Sequence, residues 1–294
     1  MRRTDFSLRS LLFVPAHDSA MIQKAVKTET DAIILDLEDA VPADQKEEAR
    51  RTITKMAEHG LFDDVVTFCR TNALDTEYIF ADLMDVASGA IDGFLCPKIT
   101  NESDVRIFIS LLEQIEIQLC IEREFAIVPL IETPGAVMNV QEICAISERV
   151  IAVAFGSEDF VADLESTKDS GQSSLFVPRA LIAMGARAEG AVPVDTVYID
   201  VSDGEGFAES VRLAHSLGYE GALILHPNQI PIANQEFTPS DDDIETAENI
   251  LYQMGEIKAK NRGVGKVEQT FIGPPIMKAA RKTLERADRL PDRD

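Results

Sequence analysis

The stretch Ala32-Ile33-Ile34-Leu35-Asp36-Leu37-Glu38-Asp39 reads as an apolar run that ends in a cluster of acids. Its hydrophobicity is continuous rather than alternating, which marks a strand covered on both faces, as in a parallel sheet. Pro42-Ala43-Asp44 then opens a helix predicted over Gln45–His59, with Gly60 just beyond as a stop. Seven more apolar, β-branched-rich runs recur along the chain: Leu11–Val14, Val65–Cys69, Gly93–Pro97, Ala126–Ile131, Val150–Phe155, Thr196–Val201 and Gly221–Leu225. Each precedes a polar-faced segment of helical length, so the strands are expected to run parallel. Eight such units in one chain predict a closed α/β architecture, a (β/α)₈ TIM barrel, with a doubly wound open sheet as the alternative.

Two further helices carry their own start signals. Asn101-Glu102-Ser103-Asp104 opens Val105–Leu119, and Ser240 precedes an acidic first turn at Asp241–Glu245 that suits the helix dipole. The run Asp241-Asp242-Asp243 is read as that cap and not as a metal site. Beyond the eighth strand, Asn228–Asp294 contains two helical stretches separated by Asn261–Gly273 and then Pro274-Pro275. The expected organisation is a barrel over residues 1–230 and a C-terminal helical extension over 231–294. That extension could lie as a lid over its own barrel mouth or a neighbour's.

Composition narrows the partners. With 28 Lys+Arg against 51 Asp+Glu, the net charge of −23 repels nucleic acid and anionic lipid alike. An anionic substrate would need a local basic pocket or a bound cation. The 294 residues suffice for one large core. Cys69, Cys96, Cys120 and Cys144 are widely spaced with no C-x-x-C pair, which predicts reduced thiols and a cytoplasmic protein. The apolar run near the start is too short for a signal-peptide core or a membrane span.

In a barrel of this kind the active site sits at the carboxyl ends of the strands, so polar residues there take precedence. Glu132 and Asp159 close neighbouring strand units and are expected within reach of one point above the barrel. Two carboxylates, completed by water and a chelating substrate, suit Mg²⁺. Either acid alone could equally cap the helix that follows. Arg70 supplies a rigid fork of donors for a carboxylate or enolate oxygen, or forms a salt bridge to Glu38 or Asp39 across the mouth. Lys98 and His226 are candidate substrate contacts. A solvent-facing ammonium and a satisfied structural histidine are their respective alternatives. Gly156-Ser157-Glu158-Asp159 lacks the spacing and the lysine of a phosphate loop.

In order, these strand ends resemble the citrate lyase β-subunit (CitE-like) family of the HpcH/HpaI aldolase superfamily. The resemblance rests on Arg9–Pro15, Leu35–Val41, Arg70–Thr76, Pro97-Lys98, Ile131–Pro134, Phe155–Asp159, Tyr198–Asp200, His226–Ile230 and Phe237–Ser240, and spans residues 9 to 285. It implies Mg²⁺ held by Glu132 and Asp159, Arg70 on the substrate's oxygens, and Glu38 and Asp39 holding metal-bound waters. It also implies a homotrimer or hexamer acting on a hydroxyacyl-CoA thioester or a small 2-oxo or hydroxy acid.

One position departs from the family pattern. Where many relatives carry a lid aspartate in a Gly-Lys-Met-Ile-Asp-Ala-Pro segment, Thr270–Pro275 here places Gly273, which leaves Glu268, a water or another residue to replace it. The expected activity is a Mg²⁺-dependent carbon–carbon lyase of aldolase or retro-Claisen type. A thioesterase on the same site and a non-catalytic subunit of a larger complex are the rivals.

Overall fold

The computed structural model describes residues 6–166, 173–259, 265–267 and 270–288. Eight parallel strands close on themselves: β1 (Ser10–Pro15), β2 (Ala32–Asp36), β3 (Val66–Arg70), β4 (Gly93–Ile99), β5 (Ala126–Ile131), β6 (Ala152–Phe155), β7 (Val192–Asp195) and β8 (Gly221–Ile224). Closure is made by β1 against β8, where Ser10, Leu11 and Leu12 stand opposite Ala222, Leu223 and Ile224. The helices around them are α1 (Ser19–Ala25), α2 (Lys46–Glu58), α3 (Ile79–Val86), α4 (Glu102–Leu119), α5 (Pro134–Met138), α6 (Val140–Ala145), α7 (Ser157–Asp163), α8 (Ser173–Ala188), α9 (Gly204–Leu217) and α10 (Ile230–Phe237). None of the described helices is long and apolar enough to cross a membrane.

Successive side chains on a strand point to opposite faces, and this period of two divides the core into two layers. Leu11, Ala32, Ile34, Phe68, Leu95, Val128, Ala154, Val194 and Leu223 fill the barrel interior. Leu12, Ile33, Leu35, Cys69, Phe94, Ile127, Val153 and Ile224 pack outward against the helices. Both layers are apolar, which is why the runs are continuous in sequence.

The seventh strand corrects the sequence expectation: it is Val192–Asp195, and Thr196–Val201 is a loop in which Ile199 is exposed. Pro193, inside this strand, has no N–H to give to a ladder. The ladder between β7 and β8 begins only at Val194, opposite Gly221, so that missing donor costs no bond there. The Pro193 carbonyl still accepts from Glu220 N–H.

The predicted helix starts hold with small shifts. Asn101 and Asp104 form a capping box that brings α4 back to Glu102, and Gly60 takes a left-handed φ of 71° two residues past α2. All four cysteines are free thiols, and Cys120 alone is exposed.

The chain divides into two compact units, Met1–Phe237 and Thr238–Asp294. Helix α10 belongs to the first, packed on β8 and α9. The second unit pairs α11 (Asp241–Ala259) with α12 (Pro274–Asp288) and contains a short antiparallel ribbon, β9 (Gly265–Val267) with β10 (Thr270–Ile272), where sequence showed only a linker. Ser240 caps α11 through Asp243, in keeping with the capping role read for that acidic run. Gly273 immediately precedes α12, its carbonyl accepting from Met277 N–H, and Pro274-Pro275 occupies the first helical turn, where its fixed φ fits. Glu268 lies outside the described residues.

Candidate functional site

The inward-pointing positions do not stop at the apolar interior. Continuing the same alternation past the carboxyl ends of the strands brings Phe13 and Pro15, Asp36, Arg70, Glu132, Gly156, Thr196 and Leu225 around one cavity of about 460 Å³, with Leu130 and Leu223 among its apolar walls. Asp39, Met21 and Asp159 complete its rim. Phe13, Pro15, Asp36, Arg70, Glu132, Gly156 and Leu225 are predicted strand ends or their neighbours, now converged from different strands by barrel closure.

Arg70 ends β3 and is mostly buried. Its Nε and Nη2 each donate to Asp36 at 2.7 Å, and its Nη1 lies 3.0 Å from Glu38 and 3.7 Å from Asp39. The Phe13 ring sits 4.9 Å from the guanidinium carbon, a cation–π distance. Burial works against the positive charge, yet the Asp36 bonds and the surrounding acids hold the pKa above the ordinary arginine value. The salt bridge read from sequence is present, with Asp36 as its closest partner beside Glu38 and Asp39, and the Arg70 side chain also lines the cavity.

Glu132 follows β5 and is 3% exposed. Its Oε2 accepts the backbone N–H of Lys98 at 2.8 Å. That N–H is aimed by an unusual backbone: Lys98 has φ of 54°, in the left-handed region, where the β4–β5 register shifts between Cys96 and Ile99. Gly156, at the end of β6, makes the space on the other side, since a Cβ there would come within 2.8 Å of Glu132 Oε1. Burial pushes the Glu132 carboxyl up to about 7, against the Lys98 hydrogen bond and reinforced by the nearby Asp159 charge. Glu38 is likewise pushed up to about 7, first by burial and partly offset by Arg70. Asp159 is not a strand terminus but stands in the first turn of α7, exposed, facing the same cavity.

These donors fit a hard divalent cation. Against Asp36, Glu38, Asp39, Glu132 and Asp159 stand the cations Arg70, Lys98 and the buried Lys46, an excess of carboxylate in a half-desolvated space. The molecule relieves it either by holding protons at pH 7 or by binding a cation. Among the described residues no group of three or more His, Cys, Asp or Glu converges as a ready ligand set. Glu132 and Asp159, both on the cavity wall, are the carboxylates that could hold such a cation.

Lys98 and His226 are placed differently from the expectation of side-chain substrate contacts, and neither lines the cavity. The Lys98 ammonium is half exposed and 3.7 Å from Glu38, while its backbone N–H does the positioning just described. His226 is exposed and caps the turn Pro227–Gln229, its Nδ1 2.8 Å from Asn228 Oδ1. Two contributors were not singled out in the sequence. Asp36 was legible by alternation, since Ala32, Ile34 and Asp36 share the inward face of β2. Thr196, which donates to Ser157 Oγ at 2.7 Å in the cavity wall, was hidden by the misplaced seventh strand.

A profile of the HpcH/HpaI aldolase/citrate lyase family matches residues 9–227. The chain belongs to the HpcH/HpaI aldolase/citrate lyase family. Within this family it is 32% identical to citrate lyase subunit beta of Haemophilus influenzae over 282 residues, covering 95% of this chain and 96% of that protein. It is 30% identical to a (3S)-malyl-CoA thioesterase of Cereibacter sphaeroides over 280 residues, 95% and 94% of the two chains. Among solved family members, CitE from Mycobacterium tuberculosis in complex with magnesium, acetoacetate and coenzyme A superposes with a TM-score of 0.75 at 26% identity, covering 96% of this chain and 98% of that one.

Proposed function

We propose that this chain is a Mg²⁺-dependent carbon–carbon lyase acting on a hydroxyacyl-CoA thioester or a small 2-oxo or hydroxy acid. One observation carries the reading: barrel closure brings the carboxylates of Glu132 and Asp159 and the guanidinium of Arg70 to the wall of a single cavity. A relative of 26% identity solved with magnesium, acetoacetate and coenzyme A supports it. Glu132 and Asp159 would hold the Mg²⁺, and Glu38 and Asp39, paired with Arg70, would serve its hydration. The bound cation supplies Lewis-acid polarisation of a substrate oxygen. Arg70 places N–H donors where negative charge develops as the carbon–carbon bond breaks or forms. The buried Leu130 and Leu223 exclude water from the adjoining wall, which strengthens those contacts. The same reading takes the protein as a cytoplasmic homotrimer or hexamer.

A second reading, hydrolysis of the thioester on the same site, is favoured by the 30% identity to the malyl-CoA thioesterase. The test is an assay of the pure protein with Mg²⁺ against a panel of hydroxyacyl-CoAs and free 2-oxo and hydroxy acids. A lyase releases a 2-oxo acid or carboxylic acid fragment and leaves the thioester intact on the other. A thioesterase releases free CoA thiol. Glu132→Gln and Asp159→Asn should each abolish turnover and weaken Mg²⁺ binding while keeping the fold. Near-native activity and metal affinity in either variant sinks the metal assignment.

A further inference from the structure

We infer that Asp36 is a positioning residue: its one carboxylate selects which edge of Arg70 faces the substrate and at the same time pins the turn that bears Glu38 and Asp39. The inference rests on the reading of this cavity as the lyase site.

Asp36 is the last residue of β2 and is 2% exposed. Its Oδ1 accepts Arg70 Nε at 2.7 Å and the backbone N–H of Glu38 at 2.9 Å. Its Oδ2 accepts Arg70 Nη2 at 2.7 Å and the backbone N–H of Ala40 at 3.1 Å. A carboxylate offers about four acceptor sites, so these bonds leave none for a metal or a substrate. Asp36 acts through others. The guanidinium has five N–H donors in a fixed plane. Asp36 consumes the Nε edge, Glu38 draws on Nη1, and the guanidinium carbon stands over the Phe13 ring. The donors that remain are at the Nη1–Nη2 end, and the side chain cannot rotate without breaking a two-pronged charged contact. The turn is tied to the same anchor, because the two backbone N–H groups fix the path of the chain between Glu38 and Ala40.

An asparagine at 36 is nearly isosteric but has one oxygen. Either orientation turns an amide NH₂ toward one Arg70 N–H and one backbone N–H. The neutral substitution should therefore be as harmful as truncation. A merely structural ion pair would instead show its loss as stability.

The test is chemical rescue. In Arg70→Ala, methylguanidinium at millimolar concentration should occupy the Asp36 carboxylate. It should raise Tm above that in equal NaCl and restore part of the lost turnover. In Arg70→Ala/Asp36→Asn it should do neither. Asp36→Asn alone should lower kcat about 10²-fold, the scale of losing an oriented oxyanion donor. Equal responses to methylguanidinium with and without Asp36, or near-native kcat in Asp36→Asn, overturn the proposal. If Asp36→Asn does not fold, the Arg70→Ala arm decides by itself. The Tm readout needs no substrate, so a wild-type protein inert to the whole panel would defeat the lyase reading, and with it the positioning role, while Asp36-dependent binding of methylguanidinium is still scored.

Discussion

At the scale of single residues, the site depends on groups whose charges are costly where they stand. Arg70 is locked by two parallel bonds to Asp36, a geometry that one ammonium cannot reproduce. Arg70→Lys is therefore expected to lose activity almost as severely as Arg70→Ala, on the order of 10²-fold or more. Steady-state kinetics on any substrate of the panel check this, and full activity in the lysine variant would reduce Arg70 to a salt bridge. Glu132 and Glu38 make a second prediction. Both carboxyls rise from 4.5 to about 7 in the folded protein, so their proton-bound forms favour folding. Their contribution to stability is fully present below 4.5, the unfolded value, and is lost as pH rises through about 7. In the metal-free protein Tm should fall between pH 5 and 8, and Glu132→Gln should flatten that fall. Scanning calorimetry across that range would show it, and an unchanged slope in the variant would count against the burial argument.

At the scale of elements, strand ends do more than present side chains. The β4 terminus donates a backbone N–H from a strained Lys98, and the β6 terminus supplies the empty space of Gly156, so Glu132 is held between two neighbouring strands. Gly156→Ala should push the Glu132 carboxylate from its seat, because the added methyl meets its Cγ and Oε1. The expected result is a loss of Mg²⁺ affinity of at least tenfold, about 1.4 kcal/mol, measured by titration calorimetry, with the circular dichroism spectrum unchanged. Wild-type affinity would mean that Glu132 has another way to sit. The roles of Lys98 and Gly156 were not legible in sequence, since a backbone N–H and an absent Cβ have no signature in residue type. Asp36 was legible, because β2 keeps its period of two through Ile34 to Asp36. The seventh strand was misread because Pro193 obscured it and because Thr196–Val201 has better β-propensity than the strand itself.

At the scale of the whole molecule, the barrel is closed by a contact that tolerates only a glycine. A Cβ on Gly221 would collide with the backbone carbonyl of Leu8, just before β1, and a backbone atom cannot rotate aside as a side chain does. Gly221→Ala should destabilise the fold by about 3 kcal/mol or more, the upper part of the overpacking range, through strain where β8 meets the N-terminal segment. Urea denaturation monitored by circular dichroism would record it as a lowered midpoint, and a midpoint within error of wild type would show that the closure can relax.

The amino-acid sequence by itself determined the class of fold and seven of the eight strands. Continuous apolar runs have few fates other than strands buried on both faces, and helices between them impose parallel order. It also placed Arg70, Glu132 and Asp159 at or just beyond strand ends, because polar residues in such runs survive only where the interior opens. Tertiary structure alone decided which of those residues meet. Register and closure set the 2.7 Å bonds of Arg70 to Asp36, turn His226 out to cap its own turn, and bring Lys98 into the site through its main chain. Those outcomes depend on distances between strands remote in sequence, which no local pattern of side chains encodes.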